Sequence, residues 1–223
     1  MTLKRKYPRF DRMEMHATKL RRSKVEASND PTWSNRTLLF DLYTTPQDVN
    51  DSIVDVPRKF RYIRWKPTDY RTGDLAEVAF YGKRTWEEEE KKLSGEIIGL
   101  PTIDSTTQYP YTHAMDGNPE TFFAKDKDTE GYVGLDLGKG NEAYITRVHF
   151  HPRSDTNFIL IGDTYELCYW ENGSWHSCGW QTASSHELTF HDVPQGTLYI
   201  LHNRSRGKEE RIFTYENGEQ VWW

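Results

Sequence analysis

Asp116-Gly117-Asn118-Pro119, with Thr121 close behind, packs a carboxylate, an amide and a hydroxyl into six residues. A turn of this composition can gather side-chain and main-chain oxygens around a hard cation. The same Asp can instead cap its own backbone and do nothing more. Ca2+ takes six or more oxygens, so a cation here needs a further carboxylate from a distant part of the chain. A second group, His151-Pro152-Arg153-Ser154-Asp155-Thr156-Asn157, follows a strand-like run and is expected to form a loop. Arg153 offers a planar fork of donors and Asn157 both a donor and an acceptor. Arg153 and Asp155 are also spaced to pair with each other and pin the loop. His149 and His151 stand two apart on a strand and share a face, which with His113 would suit a transition metal. No thiol or carboxylate stands at a recognisable ligand spacing around them.

Other chemistry-bearing residues have plainer readings. Cys168 and Cys178 flank Asn172-Gly173, where they form either a cross-strand disulfide or two free packed thiols. No local signature marks either as a nucleophile. The string Arg204 to Arg211 is read as a solvated connector with local ion pairs. Three triplets, beginning at Asn35, Asn172 and Asn203, match the glycosylation pattern by chance frequency.

The elements that must position these groups are mostly strands. Runs rich in Tyr, Phe, Trp, Val and Ile recur every eight to twelve residues between Asn, Asp, Gly and Pro. Strands are expected at Lys59 to Trp65, Ala76 to Tyr81, Ala143 to His151, Thr164 to Trp170 and Thr197 to His202. Asn172-Gly173 predicts a tight hairpin. Helix is expected only at Arg12 to Arg21 and at Thr85 to Leu93, where acidic residues lead basic ones. Net charge is -5, from 29 basic and 34 acidic residues, which disfavours a nucleic-acid partner despite the basic run from Lys4 to Lys24. No apolar run approaches the roughly 18 residues that span a bilayer, so no membrane insertion is expected. The start carries charge without an apolar stretch, so no signal peptide is read in this chain.

A weak internal repeat suggests two modules. Lys24 to Trp33, Arg61 to Trp65 and Leu75 to Gly82 follow one another as Tyr165 to Trp175, Leu198 to His202 and Arg211 to Gly218 do later. The second set alone is preceded by H-A-M-D-G-N-P-E-T-F-F (His113 to Phe123) and Y-V-G-L-D-L-G (Tyr132 to Gly138). These runs resemble the discoidin domain, also called the coagulation factor 5/8 type C domain, a galactose-binding-like fold. The C-terminal E-R-I-F-T-Y-E-N-G-E-Q-V-W-W resembles the tandem type found at the ends of large secreted Bacteroidetes proteins, where a catalytic domain, often transglutaminase-like, precedes the pair. Nothing in this chain resembles that catalytic domain.

The resemblance implies an all-β antiparallel β-sandwich jelly roll over residues 95–223. A partial or divergent copy would occupy residues 1–94. It implies a structural Ca2+ held by the Ala114 carbonyl, Asp116, Asn118, Thr121 and Glu216. It also implies that the Arg153 to Asn157 loop contacts sugar hydroxyls through Arg153, Asp155 and Asn157. His113 would assist, and Phe158, Trp180 or Phe123 would stack on a pyranose ring. Glu77 holds the matching position in the first copy, with no D-G-N turn in that copy to meet it.

The expected function is therefore a non-catalytic module that recognises a glycan or glycoconjugate, in a secreted, cell-surface or periplasmic setting. The alternative is a docking module that packs against a catalytic domain of the same or another chain. Trp65, Trp86, Trp222 and Trp223 would then be interface anchors. An enzyme such as a glycosidase is a third reading, against which only fold-level analogy stands.

Overall fold

The computed structural model describes residues 1–7, 12–104, 106–155, 157–207 and 210–223, without the side chains of 12–14. Arg9 of the basic run, Thr156 of the 151–157 loop, and Lys208 and Glu209 of the late charge string lie outside the described residues.

Among the described residues the fold is all-β and antiparallel, with one short α-helix. In order it runs β1 (Thr2–Leu3), α1 (Arg12–Thr18), β2 (Lys24–Ser28), β3 (Thr37–Asp41), β4 (Asn50–Ile53), β5 (Lys59–Phe60), β6 (Tyr62–Lys66), β7 (Leu75–Lys83) and β8 (Lys91–Lys92). There follow β9 (Glu96–Leu100), a 3-10 turn (Tyr111–Met115), β10 (Tyr132–Asp136), β11 (Ala143–Pro152), β12 (Thr164–Glu171) and β13 (Ser174–Thr182). The chain ends with β14 (Leu188–Thr189), β15 (Tyr199–Asn203), β16 (Ile212–Glu216) and β17 (Glu219–Trp222).

Two compact units form, one of Arg12–Asp155 and one of Met1–Asp11 with Thr156–Trp223. This differs from the expected division at 94/95, which falls inside the larger unit. The larger unit is a sandwich of two sheets, ordered β3-β2-β6-β10-β9 and β4-β11-β7-β8, with β5 also on β11. β7 and β11 alternate buried and half-buried residues along most of their length, as strands with one face on a core must. Val25, Ile63, Trp65, Phe80, Val148 and Phe150 belong to the buried cluster between the sheets. Gly134 sits where a Cβ would come within 2.1 Å of the Ile63 carbonyl oxygen, so only glycine lets β10 lie this close to β6. Asp136 ends that strand by pairing with Arg61 at 2.6 Å and accepting from the Gly138 N–H at 2.8 Å.

The smaller unit is built on one sheet, β13-β12-β15-β16-β17, with a β1-β14 pair, around Tyr165, Leu167, Tyr199, Leu201 and Phe213. Its β12–β13 hairpin turns at Asn172 and Gly173, both at positive φ (50° and 82°), as the Asn-Gly signal predicts. The helix expected at Arg12 to Arg21 appears as α1. The one expected over Thr85 to Leu93 does not form, and Lys91–Lys92 pairs with β7 instead. That stretch has only Trp86 and Leu93 as large apolar residues. A short helix without an apolar face has no packing to offset its nucleation cost. Trp86 stacks on Tyr144 at 4.3 Å instead, and the Leu93 N–H donates to the Phe80 carbonyl.

Candidate functional site

The D-G-N turn closes as its residue types dictate. The Asn118 N–H donates to Asp116 Oδ1 at 2.8 Å, and Thr121 Oγ1 donates to Asp116 Oδ2 and to the Asn118 carbonyl, each at 2.8 Å. Gly117 takes φ +77°, which lets the chain reverse without strain. Ala114 is buried in the 3-10 turn, and His113 is half-buried beside it. So Asp116, Asn118 and Thr121 do come together, with Ala114 two residues before them in the chain. Glu216 belongs to the other unit, on β16, where it is exposed and accepts from Thr214 Oγ1 at 2.7 Å.

The carboxylate that meets the turn is Glu77, on β7 of the same unit. Its Oε1 is shielded from water and has no hydrogen-bond partner. Burial, aided by the Asp116 carboxylate beside it, pushes the Glu77 carboxyl up to about 8; Lys92 and the Gly117 N–H oppose this only in part. A buried oxygen left unmatched next to a second carboxylate is a poor arrangement for the protein alone. It is a good one for a cation, which would satisfy both groups. Asp116, Asn118, Thr121 and Glu77 thus gather hard oxygens around one turn. The A-E-V position of Glu77 was visible in the sequence. What was not visible is that the D-G-N turn, 39 residues downstream, folds back onto β7. Among the described residues, no group of three or more His, Cys, Asp or Glu side chains is arranged around one metal position.

At the loop after β11, Arg153 and Asp155 pair, Nε to Oδ1 at 2.9 Å. The Arg153 guanidinium also lies over the Phe122 ring at 4.0 Å, and Phe122 stacks on Tyr109 at 4.4 Å. Behind them is a buried polar cluster that sequence reasoning did not find. Asp74 accepts from His16 Nδ1 and Lys19 Nζ, both at 2.8 Å, and from Thr72 Oγ1 at 2.6 Å. The Arg153 N–H donates to the Asp74 carbonyl at 3.0 Å. Burial would raise the Asp74 carboxyl, but the donors His16, Lys19 and Thr72 outweigh it and hold it at about 2. Its members are scattered over 137 residues with no motif, so nothing in the sequence announced it.

Two of the proposed sugar contacts are not at this rim. Asn157 is buried, its Oδ1 accepting from the Tyr7 N–H at 2.9 Å and its carbonyl from the Lys6 N–H at 2.9 Å. Phe158 is buried too, bridged to Arg5 in the smaller unit. Neither presents a surface to a soluble ligand, because the residues beyond Asp155 turn into the second core. Phe123 is also core, whereas Trp180 is exposed under the Arg204 guanidinium.

The cysteines are free, not bonded. A bulge between Leu167 and Cys168 sets Cys168 opposite Ser177, so the two sulfurs are not register partners. Burial, with the Glu166 carboxylate near it, pushes the Cys168 thiol up to about 11, and burial raises Cys178 as well. Both are thus thiols near neutral pH, the unreactive form. Of the proposed anchors, Trp65 is fully buried in the core and Trp222 packs against the smaller core. Trp86 and Trp223 are exposed. No helix among the described residues is long and apolar enough to cross a membrane. In comparisons with known proteins, no family model, no curated protein and no solved structure matches this chain.

Proposed function

We propose that this chain is a non-catalytic recognition module. It binds carbohydrate at the loop rim of the larger unit, which we read as a discoidin-like jelly roll with a secreted or cell-surface role. The observation that carries this reading is Arg153. Its guanidinium donates to Asp155 and lies over the Phe122 ring, which stacks on Tyr109, while its backbone N–H is tied to the Asp74 carbonyl. A donor fork fixed in one orientation next to aromatic edges loses little entropy when it meets a ring of hydroxyls. Asp155 supplies acceptors, and His113 lies in the 3-10 turn of the same unit. A structural Ca2+ at Asp116, Asn118, Thr121, the Ala114 carbonyl and Glu77 would stiffen the turn that follows His113. It supplies charge and coordination only, with no chemical step.

The test is a broad glycan array probed with wild type, Arg153→Ala and Asp155→Ala. Binding of a defined sugar class by wild type, reduced at least about tenfold by Arg153→Ala, supports the reading. Undiminished binding in that variant places the site elsewhere. A wild type that binds nothing on the array overturns carbohydrate recognition. The docking reading then stands on exposed Trp170, Trp180 and Trp223 of the smaller unit, two of them on the β12–β13 hairpin.

A further inference from the structure

His149 and His151 form a feature that neither the rim nor the cation turn uses. On β11 they point to the same side, and their Nε2 atoms are 2.8 Å apart. The rings cross at 69° with centroids 4.8 Å apart. Two imidazole nitrogens at this distance are held by one shared proton, so one Nε2 carries the hydrogen and the other the lone pair that accepts it. His149 Nδ1 stands 3.1 Å from Asp51 Oδ1, which fixes that nitrogen as the protonated one and leaves Nε2 as the lone-pair bearer. This carboxylate–histidine order is the one that orients metal-binding imidazoles.

The surroundings suit a cation. Asp51 also pairs with Arg147 at 2.6 Å, and the other side of Arg147 pairs with Glu90 at 2.7 Å. Two carboxylates and one guanidinium leave this group one negative charge in excess. Cross-strand from His149 is Ala79, and cross-strand from His151 is Glu77. Two nitrogens bound cis at about 2.0–2.1 Å to a tetragonal ion stand about 2.9 Å apart, close to the observed spacing; a tetrahedral ion would need them further apart.

We propose that His149 and His151 are a two-histidine chelate for a tetragonal divalent transition-metal ion, Cu2+ or Ni2+. Asp51 orients the first ring, and water completes the coordination. Binding moves the His151 proton from Nε2 to Nδ1, so that both Nε2 lone pairs reach the metal and no net proton is lost. Its nitrogen donors set it apart from the Ca2+ turn, which offers only oxygens, although Glu77 of that turn lies cross-strand from His151.

The experiment is titration of the full untagged chain with Cu2+, and separately with Ni2+, followed by calorimetry and by electron paramagnetic resonance for Cu2+. One equivalent with a two-nitrogen signature is expected, together with loss of that signature in His149→Ala. Asp51→Asn should weaken binding by about 10- to 100-fold. His151 is buried, so its variant is scored only after circular dichroism shows the strands intact. His149 is partly exposed and His149→Ala carries the test. Unchanged affinity in His149→Ala, an equal loss in His113→Ala, or no bound equivalent in wild type each overturns the site.

Discussion

The two units start from the same three-strand order and finish differently. In the larger, β2 lies antiparallel to β6 with Glu26 opposite Arg64. In the smaller, β12 lies antiparallel to β15 with Glu166 opposite His202. They part at the third strand. β7 joins the second sheet and runs along β11 for nearly its whole length, while β16 stays beside β15 and folds back into β17. Two things make the difference. The larger unit has β9, β10 and β11 to pair with, all drawn from the stretch after residue 94. The smaller has Asn217-Gly218, both at positive φ, which turns the chain straight after Glu216. The lesson is that a strand's partner is chosen by what lies free nearby and by the turn that follows it, not by its own residues.

The sharpest way to break the comparison is through the separate cores. Trp65 is fully buried, 4.7 Å from the Phe150 ring. Trp65→Ala should cost about 3–5 kcal/mol. It should strip hydrogen-exchange protection from the β6, β10 and β11 amides while those of β12 and β15 keep theirs. Equal loss in both sets would mean that the cores melt as one.

The paired glutamates come next. Arg64 is nearly buried between Glu26, at 2.6 Å, and the Trp33 ring, at 4.1 Å. Arg64→Ala leaves the buried Glu26 carboxylate with Arg36 alone, at 3.1 Å, with an expected loss of about 3 kcal/mol by denaturant unfolding. Arg204, the partner of Glu166, is about two-fifths exposed. Glu166 is buried like Glu26 but keeps a hydrogen bond from Ser177, so Arg204→Ala should cost less, about 1 kcal/mol. Equal losses would remove the distinction between the two sheets.

Acid separates the units more gently. The Asp74 carboxyl is lowered from its ordinary 3.8 to about 2, so its contribution is complete above pH 3.8 and fades as pH falls through 2. A shift of that size corresponds to about 2 kcal/mol. Unfolding of the larger unit should thus weaken between pH 4 and pH 2, and Asp74→Asn should flatten that slope. A variant with the wild-type slope would show that other carboxylates carry the acid response.

Much of this fold was legible and its assembly was not. Strands at Tyr62 to Trp65, Ala143 to His151 and Thr164 to Trp170, and the Asn172-Gly173 hairpin, follow from local alternation and turn chemistry. So does the closure of Asp116 on Asn118 and Thr121. Pairing between distant strands has no local signature, because β10 and β11 present the same alternation to either copy. The D-G-N turn was matched to Glu216 by family resemblance, whereas within the larger unit the carboxylate beside it is Glu77, upstream. Arg153 and Asp155 were read with their pairing in view, whereas Asn157 and Phe158 were placed on the rim because the change of unit at 155/156 leaves no mark in composition.

The central claim is that residues 95–155 complete the first copy, which makes Glu77 the carboxylate of the cation turn. Thermal melts of wild type, Glu77→Gln and Glu216→Gln, each with Ca2+ and with chelator, test it directly. The account predicts that Ca2+ raises the melting temperature of wild type and of Glu216→Gln by several degrees and leaves Glu77→Gln unmoved. A response kept in Glu77→Gln and lost in Glu216→Gln, or no response in wild type, would contradict it.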